Sequence, residues 1–154
     1  MGIKAHFDQA SFDAACMDAV DSVNNRIVNS LAYLGEMCVK EARDRSMEES
    51  WIDRTGNLRS SVGYLITYNG NVVSASSFQS VKGGSEGSAT GRKLADELAC
   101  KHSDGFALVV VAGMSYAVLV EAMENKCVLA SAELLAKKEL PIMMQMLQQQ
   151  LNAI

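Results

Sequence analysis

Apolar side chains recur at steps of three and four from the start of the chain: Phe12, Cys16, Ala19, Val23, Ile27, Leu31, Leu34 and Cys38. This period buries one face of an amphipathic helix. Asp8 or Ser11 can cap its start, and Asp13 suits the first turn. The pattern runs to Ala42 or Arg45, roughly 50 Å at the α-helical rise and longer than a small domain needs. Its other face carries Asp18, Asp21, Asn25, Lys40 and Arg43, which suits either solvent or another subunit. Gly35 costs about 1 kcal/mol mid-helix relative to alanine and marks a close contact.

A polar stretch from Ser46 to Asn57, containing Trp51, ends this pattern. Val62, Tyr64, Ile66 and Tyr68 then alternate with Gly63, Leu65 and Thr67, the period of a strand. Asn69-Gly70 follows, the strongest short hairpin signal, and Val72–Phe78 supplies the return strand. The Gly/Ser-rich run Ser80–Gly91, with Gly83, Gly84, Gly87 and Gly91, reads as a flexible loop. A short helix comes next, with Leu94, Leu98 and Cys100 as its inner face. Phe106–Ala112 is continuously apolar, as in a strand buried on both faces. Tyr116–Ala122 fits a short helix or a strand, and Lys126–Leu129 a short edge strand. Ser131 can cap a last helix whose apolar side is Leu134, Leu135, Leu140, Met143, Met146, Leu147 and Leu151, with Pro141 set to kink or split it. The expected fold is α+β: a long N-terminal helix and a C-terminal helix packed on a small antiparallel sheet of three or four strands, one domain over residues 1–154.

Length and composition agree with that. The 154 residues, 49% hydrophobic and 21% charged, supply one core. A formal net charge of −4 gives no electrostatic footprint for nucleic acid or an anionic membrane surface. No apolar run is long enough to span a bilayer, and the first residues lack the order of a signal peptide. Cys16, Cys38, Cys100 and Cys127 form no CxxC pair, so they read as small buried hydrophobes rather than zinc ligands. Only His6 and His102 could serve a catalytic triad. Gly83-Gly84-Ser85-Glu86-Gly87 matches the nucleophile-elbow spacing without the strand, helix and partnered histidine it needs. Gly87–Lys93 misses the phosphate-loop register by one residue. The carboxylate pairs Glu48-Glu49, Asp96-Glu97 and Glu121/Glu124 read as solvated. Neither an enzyme activity nor a cofactor nor a metal is expected.

Two segments carry a resemblance. Asp53-Arg54-Thr55-Gly56-Asn57-Leu58-Arg59-Ser60-Ser61 resembles the D-x-T-G-x-L-R-x-S signature of a tail-component family of long-tailed bacteriophages. Tyr116-Ala117-Val118-Leu119-Val120-Glu121 resembles that family's Y-A-x-x-V-E segment. The order of predicted elements is similar along nearly the whole chain. The chain departs after Glu121, where Ala122-Met123-Glu124 and Cys127-Val128-Leu129 stand in place of the family's glycine turn and Arg-Pro-x-x-Leu run.

The resemblance implies a virion protein of the neck, a tail-completion or head–tail joining component. It would assemble as a ring, often of six copies, and bind the tail terminator or tail tube and the head connector or head-closure protein. It would do so without reading nucleic acid or entering a membrane, in the host cytoplasm during assembly and in the virion afterwards. A tail terminator, a head-closure protein or a small accessory hydrolase are the alternatives. On this reading Thr55 caps a short helix, Leu58 enters the core, and Arg54 and Arg59 face a neighbouring subunit's acids. Asp53, Gly56, Tyr116 and Glu121 complete the motif set, and the 80–91 loop orders on assembly.

Overall fold

The computed structural model describes Gly2 and residues 8–44, 51–123 and 126–152. His6, the stretch from Ser46 to Glu49, and Glu124 lie outside the described residues. The elements are α1 (Gln9–Arg43), α2 (Asn57–Ser60), β1 (Val62–Tyr68), β2 (Asn71–Ala75), α3 (Ser85–Ala99), β3 (Phe106–Ala112), α4 (Ala117–Glu121) and α5 (Ala130–Asn152). The strands form one antiparallel sheet in the order β2-β1-β3. The class is α+β, with the long first helix, the last helix and a three-stranded sheet.

Strand alternation decides the layering. Tyr64 and Ile66 of β1 face α1 and α5, where they join Leu34, Cys38, Val39, Ala42 and Ala132. Leu65 faces the other way, with Val109 and Val111 of β3, Phe78, and Ala95 and Ala99 of α3. β1 is therefore buried on both faces, although its sequence alternates. β3 has the continuously apolar sequence of a central strand, yet it lies at an edge and five of its seven residues are only half-buried. At the hairpin, Asn69 and Gly70 both take positive φ (49° and 80°), as a two-residue primed turn requires.

α1 begins at Asp8, whose carboxylate accepts the Ala10 N–H. α5 packs antiparallel on it: Ala132 lies by Cys38, Met143 by Tyr33, and Leu151 by Ile27. α5 ends there, so the part of α1 from Gln9 to Ser22 stands wholly exposed as an arm. Pro141 sits on an exposed position and does not split α5. Of the four free cysteines only Cys38 is buried; Cys16 and Cys100 are exposed. No helix among the described residues is long and apolar enough to cross a membrane.

The run Ser80–Gly91 departs most from expectation: from Ser85 onward it is helix α3. Gly84, Gly87 and Gly91 recur at steps of three and four and face the backbone of the 56–61 segment. A Cβ at each would overlap, respectively, the carbonyl of Gly56, Asn57 or Ser61. Their composition reflects close approach, which outweighs the entropic cost of glycine in a helix. Likewise Lys126–Leu129 forms no strand, because the Val128 and Leu129 N–H groups are taken by a side chain described below.

Two expectations follow from the α1–β1 contact. A Cβ at Gly35 would stand 2.7 Å from the ring of Tyr64, which is only 4% exposed and cannot swing away. Gly35→Ala is therefore expected to lower stability in chemical denaturation by about 1–2 kcal/mol, overpacking outweighing the helical gain. The Tyr64 hydroxyl donates to Glu36 Oε1 at 3.1 Å, and burial, aided by that carboxylate, pushes the phenol up to about 12. An unfolded tyrosine ionises near 10, so between about pH 10 and 12 the folded chain holds more protons and stability falls as pH rises. Unfolding followed across that range is expected to show the loss, and Tyr64→Phe to flatten it.

Candidate functional site

The two family-like segments come together at one end of the sheet. Gly56 sits in the left-handed region (φ 78°) against the Val81 carbonyl, where no side chain fits. The turn it makes lets Thr55 Oγ1 accept the Asn57 N–H at 3.3 Å and sends Leu58 into a cluster with Trp51, Ala117 and Val128. Ser60 Oγ accepts the Val81 N–H at 2.8 Å, fixing the chain that leads into α3. Asn57 holds α3 directly: its Oδ1 accepts the Gly87 N–H at 3.3 Å and its Nδ2 donates to Glu86 at 3.2 Å. Burial, with the Asp53 and Glu86 carboxylates, pushes the Tyr116 phenol above its ordinary pKa, and Thr55 opposes that shift.

Arg59 does not face outward as the sequence reading expects. Its Nη1 donates to the Arg43 carbonyl at 2.6 Å, its Nε lies 3.8 Å from Asp53 Oδ2, and the guanidinium lies over the Trp51 ring at 5.6 Å. Arg43 reciprocates, donating to the Arg59 carbonyl at 2.8 Å and also to the Gln79 carbonyl. Each arginine thus satisfies the other's backbone, and the end of α1 is tied to α2. The turn backbone is too close to α1 to leave the guanidinium free, and residue spacing alone does not reveal that. Arg54 is the motif arginine with an exposed side chain.

Glu121 is likewise used within the chain. Its carboxylate accepts the N–H groups of Val128 at 2.8 Å, Leu129 at 2.7 Å and Ala130 at 3.1 Å. These donors lie at the start of α5, where a helix has unpaired N–H groups and favours an anion. Glu121 performs the capping that the sequence assigned to Ser131, which lies inside α5 with its Oγ buried and unpartnered.

The arm of α1 is the second feature. Phe12, Met17 and Val20 are each at least half exposed along it. Between residues 8 and 25 the charged side chains are Asp8, Asp13, Asp18 and Asp21, with no Lys or Arg. These four equal the whole formal net charge of −4, and the remaining fourteen acids balance the fourteen Lys and Arg.

Ser85 and His102 lie at opposite ends of α3. Among the described residues no three His, Cys, Asp or Glu side chains converge as a metal site. Compared with family models, with curated proteins and with solved structures, the chain matches none.

The buried role of Arg59 gives a measurable expectation. Arg59→Glu places a carboxylate beside Asp53 and leaves the Arg43 carbonyl without its donor, and is expected to cost about 2–3 kcal/mol in denaturant unfolding. Arg54→Glu, at an exposed position, is expected to change stability by no more than about 0.5 kcal/mol.

Proposed function

We propose that the chain is a structural subunit of the neck of a long-tailed bacteriophage, a tail-completion or head–tail joining component that acts as one copy of a ring and catalyses no reaction. The observation that carries this reading is the convergence of the two signature-like segments. They lie far apart in sequence, yet Leu58 packs with Ala117, and the Met114 N–H, just before the second segment, donates to Ser61 Oγ of the first at 3.4 Å. A subunit of this kind needs a stiff joint and exposed faces for its neighbours. The mutual arginine bonds and the Glu121 cap supply stiffness, and the arm and Arg54 supply faces.

A ring requires a heterologous contact, in which one surface meets a different surface on the next copy. An acidic arm suits that better than self-pairing, since two identical arms side by side repel. The same arm also suits an axial neighbour, where its complement is an apolar groove bordered by Lys or Arg on a tail terminator, a tail tube or a head connector. Assembly in the host cytoplasm and residence at the tail end of the virion follow from this role, which uses no cofactor and reads no base sequence.

Cryo-electron microscopy of particles containing the chain is expected to place several copies around the tail axis at the head–tail junction. Density confined to the distal tail tip, or absence from the particle, would overturn the reading. Within such particles, Arg54→Glu is expected to leave the subunit folded and produce unjoined heads and tails; fully infectious particles would remove Arg54 from the contacts.

A further inference from the structure

The outer edge of β3 has the composition of a covered strand, yet no strand among the described residues pairs with it. In β1 the odd-numbered residues direct their backbone groups toward β3. The Gly113 N–H donates to the Ser61 carbonyl at 3.2 Å and the Asn69 N–H to the Gly105 carbonyl at 2.9 Å, whereas the Tyr64 carbonyl accepts from Ser76 on the β2 side at 2.9 Å. Val111, Val109 and Ala107, the partners of Gly63, Leu65 and Thr67, therefore use their N–H and C=O groups on β1. Phe106, Leu108, Val110 and Ala112 point theirs the other way, where no strand among the described residues pairs with them.

Edge strands are normally blunted by charge, proline or a bulge. β2, the opposite edge, has a register shift against β1 and carries Asn71 and Ser74. β3 has none of these over seven residues, and its pairing with β1 is regular. Beside it, on the α5 side, an open and mostly apolar groove of about 280 Å³ is lined by Leu108, Val110, Leu129, Ala132 and Ala136, together with Glu133.

We infer that this edge pairs with the same edge of a second copy, antiparallel about a two-fold axis at Val109. That register sets Leu108 against Val110 of the other copy and Phe106 against Ala112. All four outward-facing residues on each side then exchange backbone hydrogen bonds, and one six-stranded sheet results. The strand itself carries no charge, and the groove's acid, Glu133, is paired with Lys137 at 2.6 Å, so identical strands meet without net repulsion. Partner side chains at 108 and 110 lie over the groove and continue the α5-side core. The inference uses the sheet alone and does not rest on the neck reading, so either can fail without the other.

Sedimentation of the full chain at about 100 µM, above the micromolar range in which weak interfaces dissociate, is expected to give a dimer that dissociates on dilution. Val110→Pro removes an outward N–H without touching the β1 ladder and is expected to give a monomer with unchanged far-ultraviolet circular dichroism. Where that variant does not fold, Val109→Cys in a Cys16→Ser, Cys100→Ser, Cys127→Ser background decides. Directly opposed residues at a non-hydrogen-bonded site have Cα atoms about 4.5 Å apart, within disulfide reach, so mild oxidation is expected to link two copies through residue 109. A monomeric wild-type chain overturns the proposal. So does an assembly whose mass is unchanged in a folded Val110→Pro variant, or a Val109→Cys chain that does not cross-link.

Discussion

Gly84, Gly87 and Gly91 bring the backbone of α3 onto the backbone of the 56–61 segment, with no side chain between them, and Gly113 in turn lies on Gly91. Much of the molecule depends on this close approach. It fixes the turn that aims Leu58 inward, holds the start of β1 under α3, and brings the segment after β3 near enough for the Met114 N–H to donate to Ser61 Oγ at 3.4 Å. Any larger residue in that row would push two backbones apart, and the neighbouring atoms are carbonyls that cannot rotate away as a side chain can.

Around that contact the charged groups of the signature-like segments are used internally. Arg43 and Arg59 each donate to the other's carbonyl, and Asp53 stands beside Arg59. Glu121 accepts three N–H groups at the start of α5. Such bonds, charged donor or acceptor to backbone in a half-buried site, contribute more than neutral ones and fix direction as well. Most of the residues that mark the segments in sequence are thus those that set how the elements meet, while Arg54 and the arm of α1 are exposed and the outer edge of β3 pairs with no strand among the described residues.

Those outward features share one physical trait, an unmatched demand. The arm carries exposed apolar side chains together with Asp13, Asp18 and Asp21 and no Lys or Arg. β3 carries apolar side chains and outward N–H and C=O groups at an edge where water is their alternative partner. On the proposals made above, each would gain from a neighbour of complementary shape, because burial favours apolar area and pairing favours hydrogen-bonding groups.

Local periodicity settled a good deal by itself. The 3.6-residue stripe located α1 and α5, the alternation from Val62 and the Asn69-Gly70 pair located the hairpin, and the apolar run at Phe106 located a strand, since these signals reside in the backbone preferences and side-chain order of each segment. Glycine content at 80–91 reads as a flexible loop but belongs mostly to a helix, because flexibility and close helix packing favour the same residue; the spacing of Gly84, Gly87 and Gly91 is the signal that separates them. The tertiary structure alone decided that Arg59 turns inward, that Glu121 rather than Ser131 caps α5, and that β1 rather than β3 is the central strand. Each of these depends on which distant backbone groups arrive within hydrogen-bonding distance, a property of the assembled chain that no single segment contains.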